Sequence, residues 1–259
     1  MTNLPFFQVD AFAIKPFEGN PAAVMPLASW LPDDVLQGIA AENNLSETAF
    51  TVPDASGEVD YHLRWFTPTV EVDLCGHATL ASAHVLMTKD RIRFATRSGV
   101  LTVTRKDAKL WLDLPGYAVE QGDEHGLIEA LGVRGPIFLS RGGNGAAIVL
   151  LDDEAAVRAV SPDFAALRAI DRLVIVTAPG DGTAIASRVF AAFHGIDEDP
   201  VTGSAHAALV PFWAGRLGRE RFTALQASKR SGQIECELRG DRVLLGGQAV
   251  TVIEGHFQL

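Results

Sequence analysis

Short runs in which apolar and polar side chains alternate recur along this chain, separated by glycine, proline, asparagine and aspartate. Residues 6–13, 58–66, 100–105, 109–114, 148–151, 173–177, 185–190, 233–238 and 242–245 each predict a strand, because successive side chains of a strand point to opposite faces. Pro32, Asp33 and Asp34 suit the first turn of a helix that runs to about residue 42. Residues 77–88 read differently. The string His-Ala-Thr-Leu-Ala-Ser-Ala-His-Val-Leu-Met-Thr is small or apolar on nearly every face, the pattern of a helix enclosed by other structure. Residues 204–215 have the same character, with Pro211 expected to remove a backbone hydrogen bond and to kink or shorten the helix.

These patterns occur twice. Gly19-Asn20-Pro21-Ala22-Ala23-Val24 returns as Gly143-Asn144-Gly145-Ala146-Ala147-Ile148, and Arg64-Trp65-Phe66 returns as Arg188-Val189-Phe190. Cys75-Gly76-His77-Ala78 then returns as Thr202-Gly203-Ser204-Ala205, and Arg97-Ser98-Gly99 as Arg230-Ser231-Gly232. The separation grows from 124 to 127 and then 133 residues along the chain. A duplicated unit predicts two similar α+β lobes related by a pseudo-twofold axis, each wrapping a sheet around one enclosed helix, with a cleft where they meet. The Pro115-Gly116-Tyr117 turn marks the boundary, giving lobes 1–116 and 117–259.

Composition narrows the class of partner. At 259 residues and 47% hydrophobic content there is enough apolar mass for two cores. The longest apolar runs, such as 146–151, fall far short of the ~20 residues that cross a bilayer, so no membrane partner is expected. The start lacks a basic segment followed by an apolar stretch, and two cysteines do not make a disulfide framework, so the cytoplasm is the expected compartment. A net charge of −10 without a Lys/Arg cluster argues against nucleic acid.

The chemistry is expected where the two enclosed helices begin. A helix N-terminus preceded by glycine offers unpaired N–H groups and about half a positive charge, which suits a carboxylate or an oxyanion. Gly76-His77-Ala78 and Gly203-Ser204-Ala205 supply two such ends, and a small anionic molecule is the natural ligand. Read one copy at a time, the same small residues serve tight helix packing equally well.

Three longer motifs carry a resemblance. Asn44-Leu45-Ser46-Glu47-Thr48-Ala49-Phe50, then Phe66-Thr67-Pro68 leading to Glu71-Val72-Asp73-Leu74-Cys75-Gly76-His77-Ala78-Thr79, then Gly195-Ile196-Asp197-Glu198-Asp199-Pro200-Val201-Thr202-Gly203-Ser204-Ala205-His206, are similar to the signatures of the PhzF-like (phenazine biosynthesis isomerase) family. The resemblance runs from Val9 to Val250. It implies the diaminopimelate epimerase-like fold, a homodimer, and a cofactor-independent isomerase that moves a C–H proton on a small cyclic carboxylic acid. It places the family's general base on Glu47, its second acid on Asp199, its imidazole on His77 and its serine on Ser204. Glu47 would shuttle the proton while His77 and Asp199 protonate or hydrogen-bond the substrate and the amides near Gly76 and Gly203 hold its carboxylate.

Other readings are weighed on the same residues. Glu47 has no acidic counterpart in the second copy, which favours one-base transport over symmetric exchange; alone, it would read as an exposed carboxylate in a turn. Racemases of this fold oppose two cysteines, but Cys75 is matched by Thr202 and Cys236 lies elsewhere, so Cys75 is expected to be a small buried residue. Asp199 also suits the N-cap of the second helix. Gly142-Gly143-Asn144-Gly145 precedes a strand-like run and so is no dinucleotide fingerprint. Ser204 and His206, two apart on a helix, do not build a hydrolytic triad with Asp199. No His or Cys spacing marks a metal site, and His84 and His206 read as packed or hydrogen-bonded helix residues. The alternatives to an isomerase are a non-catalytic carboxylate-binding or regulatory protein and a racemase or epimerase; the substrate itself is not legible.

Overall fold

A computed structural model describes residues 2–143 and 145–259, so Asn144 of the repeated Gly-Asn motif lies outside the described residues. The chain divides into two compact units, Met1–Asp113 with Gly246–Leu259, and Leu114–Leu245.

In chain order the first stretch forms β1 (Asn3–Ala11), β2 (Asn20–Pro26), α1 (Asp33–Asn43), β3 (Glu47–Pro53), β4 (Tyr61–Phe66), β5 (Glu71–Val72), α2 (Gly76–Leu86), β6 (Arg91–Thr96), β7 (Gly99–Lys106) and β8 (Lys109–Pro115). It continues through β9 (Val119–Gly122), α3 (Leu127–Leu131), β10 (Ile137–Ser140), β11 (Ala147–Leu150), α4 (Glu154–Ala159), α5 (Phe164–Leu167), β12 (Val174–Pro179) and β13 (Ile185–Ala191). Then follow β14 (Ile196–Asp199), α6 (Gly203–Leu217), β15 (Arg221–Gln226), β16 (Gly232–Arg239), β17 (Arg242–Gly247) and β18 (Ala249–Gln258).

The duplication is a duplication of topology. In the first unit β1 to β4 pair in sequence, β6 joins β4, and β7 joins β6; the senses run antiparallel, parallel, antiparallel, parallel, antiparallel. In the second unit β10 to β13, β15 and β16 pair in the same order with the same five senses. A short strand lies on the fourth strand of each, β5 on β4 and β14 on β13. The register aligns the copies residue by residue: Trp65 faces Val72 where Val189 faces Asp199, and Tyr61 faces Phe94 where Ile185 faces Ala224.

The offset grows where the second copy is longer. Four residues separate Phe66 from Glu71 and seven separate Phe190 from Glu198, which supplies the step from 124 to 127. The extra residues form a 3-10 turn at Ala192–His194. A further lengthening comes from α6, with 15 residues against 11 in α2.

The unit boundary differs from the expected 116/117 division at its far end. β18 leaves the second copy and pairs with β1 from Asn3↔Gln258 to Ala11↔Ala249, so Gly246–Leu259 belongs with the first unit. β9, which follows the first copy, pairs with β10 in the second. Each copy thus ends in a strand that completes the other unit's sheet.

Both enclosed helices are present. From Gly76 to Ala83 every residue of α2 is buried, against β1, β2, β3 and β18. On the other helix of that unit, Leu36, Ile39 and Ala40 of α1 pack with Leu4, Met25, Leu27, Phe50 and Phe66. Pro211 does not shorten α6, which runs unbroken to Leu217. The carbonyl that Pro211 cannot reach, that of Ala207, instead accepts the N–H of Tyr117 at 2.9 Å. Among the described residues no helix is long and apolar enough to cross a membrane.

Candidate active site

In the first unit three elements bring polar groups to the start of α2. Gly19 turns the chain into β2 at φ 66°, and a Cβ there would lie 2.1 Å from the Ala11 carbonyl oxygen, so only glycine fits. Asn20 follows, fully buried. Glu47 is not in a turn: it is the first residue of β3, in parallel register with Ala22, and its side chain is 13% exposed. His77 is the second residue of α2.

Glu47 Oε2 stands 3.1 Å from His77 Nε2. The two atoms form a close ion pair without hydrogen-bond alignment, and neither has another hydrogen-bond partner. On the other side of the ring Asn20 Nδ2 lies 3.1 Å and Cys75 Sγ 3.5 Å from His77 Nδ1. The Ser46 hydroxyl donates to Asn20 Oδ1 at 3.1 Å. As oriented, Asn20 donates to Nδ1 and leaves the ring proton on Nε2, facing Glu47. Turning the Asn20 amide over and reversing the Ser46 hydroxyl would let Nδ1 carry a proton too, so this pair can serve either charge state of His77.

Electrostatics favours the charged ring. Burial opposes the imidazolium, but the neighbouring Cys75 and Glu47 outweigh it and hold His77 well above its ordinary 6.5. Burial, with the Glu47 charge adding to it, pushes the Cys75 thiol up to about 11. Cys75 is therefore neutral near pH 7, and the Glu47 carboxylate is what supports the imidazolium there. Glu47, Cys75 and His77 also offer ligand atoms that lie within 4.8 Å of one another, a set that could hold a divalent cation once thiol and ring lose their protons. Sequence spacing missed that set because the ligands are gathered from two separate elements.

The second unit builds a different terminus. Asp199 ends β14, Gly203 and Ser204 open α6, and the N-cap is Thr202, with no side-chain cap hydrogen bond. Asp199 is thus not the N-cap. It accepts the Thr202 hydroxyl at 2.5 Å. Gln226, at the end of β15 and absent from the sequence-based candidates, accepts the Thr202 N–H at 2.8 Å and donates to the Asp199 carbonyl at 2.7 Å and to Thr202 Oγ1 at 3.2 Å. His206 Nδ1 bonds the Thr202 carbonyl at 2.8 Å, as the Thr79 hydroxyl bonds that of Cys75 at 2.5 Å in the first copy. Burial lowers the His206 pKa to about 4, so its ring is neutral. His84 bonds Thr251 at 3.0 Å, in keeping with a hydrogen-bonded role.

Neither α2 nor α6 has a side-chain N-cap bond, the condition under which a helix start can receive an anion. Six predicted residues therefore fall into two groups, Glu47, Gly76 and His77 in one unit and Asp199, Gly203 and Ser204 in the other. Asn20, Ser46 and Gln226 were missed, although the repeated Gly-Asn dipeptide pointed at Asn20.

Two matched α/β units, each enclosing a helix that starts beside an acidic or imidazole group, define the diaminopimelate epimerase-like fold. A hydroxyproline epimerase from Agrobacterium vitis shares that fold at a TM-score of 0.63 and 13% identity, over 98% of this chain and 92% of its own. The chain belongs to the phenazine biosynthesis-like (PhzC-PhzF) protein family, whose model matches residues 9–255. A Pseudomonas aeruginosa protein named as an uncharacterized isomerase is 49% identical over 99% of both chains. The crystal structure of a PhzF-family protein from Enterococcus faecalis superposes at a TM-score of 0.92, with 44% identity and full coverage of both chains. The protein is an isomerase of this family.

Proposed function

We propose that the isomerisation is a cofactor-independent proton transfer between carbons of a small cyclic or amino carboxylic acid, with Glu47 as the general acid/base. The observation that carries this reading is the pair of buried His77 and part-buried Glu47 at the N-terminus of α2. The parallel register makes the pair unique to the first unit. Ala22 faces Glu47, and its repeat Ala146 faces Leu173, one residue before the Ala147↔Val174 pair. An apolar residue therefore occupies the position where a second base would be needed.

The substrate carboxylate takes the N–H groups at Gly76 and the positive end of the helix. Glu47 removes a C–H proton; the C–H electron pair becomes the π bond of an enolate or dienolate, and the His77 Nε2–H, keeping its proton, hydrogen-bonds the oxygen that gains charge. Glu47 then returns its proton to another carbon of the conjugated system, so atoms and charge balance with no outside reagent. Asp199 and the Gly203–Ser204 amides supply the same kind of chemistry at the second terminus. A two-thiol racemase mechanism is disfavoured by Thr202 at the position equivalent to Cys75 and by the neutral Cys75 thiol.

Incubating wild type and Glu47→Gln in D2O with cyclohex-2-enecarboxylate, L-proline and L-glutamate, followed by NMR, tests the reading. Deuterium should enter one carbon of a bound acid with the wild type and about 100- to 10,000-fold more slowly with the variant, the usual contribution of general acid/base catalysis. Equal exchange by both proteins would sink the assignment to Glu47.

A further inference from the structure

We infer that Thr202 and Gln226 are positioning residues that aim the Asp199 carboxyl, a role that rests on the proposal that Asp199 touches the substrate. The geometry leaves little freedom. Gln226 is fully buried and its backbone is held on both sides, by Ser187 of β13 and Gly232 of β16. Its amide donates to Thr202 Oγ1 and so occupies the acceptor side of that hydroxyl. The single Thr202 proton is then directed to Asp199 Oδ2. The same amide grips the chain that follows the carboxyl, at the Asp199 carbonyl and the Thr202 N–H.

The duplicated unit shows that the fold does not require this network. In the first copy the register places Val72 at the position of Asp199, and Cys75 stands at the N-cap where Thr202 stands. Tyr61↔Phe94 and Ile185↔Ala224 likewise place Thr96 at the position of Gln226. Asp, Thr and Gln are replaced together by Val, Cys and Thr, yet α2 begins in the same way on the same strand arrangement. Two buried polar residues, Thr202 and Gln226, that appear only where the acid appears serve the acid. A hydroxyl that can donate in only one direction fixes the rotation of the carboxyl it meets, and a fixed acid is what contact with a reacting molecule demands.

The test compares Thr202→Val, which is isosteric and keeps the N–H for Gln226, with Thr202→Ser, which keeps the hydroxyl, and with Gln226→Glu, which removes both amide donors. In protein labelled with 13C at aspartate Cγ, with Asp199→Asn identifying the resonance, Thr202→Val should move the Asp199 midpoint upward by about one pH unit because the carboxylate loses its hydroxyl donor, and Gln226→Glu should raise it as well, through the released Thr202 hydroxyl and the added carboxyl. Thr202→Ser should keep the wild-type midpoint. On the acid that exchanges in D2O, Thr202→Val should slow turnover at least tenfold with little change in KM. An unmoved midpoint in both Thr202→Val and Gln226→Glu would overturn the inference. Wild-type turnover in Asp199→Asn would also overturn it, while continued loss of exchange in Glu47→Gln would show that the proposal for Glu47 stands apart.

Discussion

At the scale of single residues, charge and burial pull His77 and His206 apart. Burial alone favours a neutral ring, and His77 is carried the other way by its neighbours Cys75 and Glu47. In Glu47→Gln one of the two opposing neighbours is lost, so the His77 midpoint should fall, as read from 15N-imidazole NMR. A midpoint that stays high in the variant would show that another group supports the charge. His206 has no such partner and titrates near 4. Its unfolded-state value is near 6.5, so the stability tied to the neutral ring is present above 6.5 and is lost as pH falls toward 4. Between pH 7 and 4.5 this should remove about 2 kcal/mol. His206→Asn retains an amide donor for the Thr202 carbonyl but cannot titrate, and urea unfolding at the two pH values should show that loss shrink. An unchanged pH dependence would move the titration elsewhere.

At the scale of elements, what was legible depended on how many faces a segment buries. The helices α2 and α6 were plain because a run of small and apolar residues has one good explanation. The strands β2 and β3, which deliver Asn20 and Glu47, were missed because both of their faces are covered and their sequences do not alternate. β18 alternates in exposure but is written in threonine, glutamate, glycine, histidine and glutamine among its apolar residues, so periodicity did not mark it. Pro211 misled for a different reason: its effect depends on Tyr117, far away in sequence, which satisfies the freed carbonyl. The Pro211 ring is also close to Gly116, where an added Cβ would lie 3.4 Å from Cγ. Pro211→Ala should therefore change stability by less than about 1 kcal/mol, against the ~3 kcal/mol that helix propensity alone assigns to the exchange. A gain near the larger figure in urea unfolding would mean that the proline is strained after all.

At the scale of the whole molecule, the duplication preserves interactions as well as topology. Arg64 grips Glu71 through Nε and Nη2 at 2.7 and 2.8 Å, and Arg188 grips Glu198 in the same way at 2.7 and 2.9 Å. Each guanidinium lies 5.1 Å from the ring two residues on, Phe66 or Phe190. The repeated motifs made two units legible, and the family resemblance supplied their architecture. The return of β18 to the first unit was not legible, because a pairing between the two ends of the chain leaves no trace in local pattern. The exchange has a consequence that can be measured. β1 is the middle strand between β2 and β18, and β18 also reaches α2 through Thr251 and His84. Ending the chain at Gln248 removes one side of the β1 ladder and leaves every strand of the second unit from β9 to β16 in place. Hydrogen exchange followed by mass spectrometry should show β1 and α2 opening roughly 100-fold more readily, about 2.7 kcal/mol of local stability, while β12 and β13 keep their protection. Equal loss in both units would show that they unfold as one cooperative body, and unchanged protection in β1 would show that β2 alone suffices to hold it.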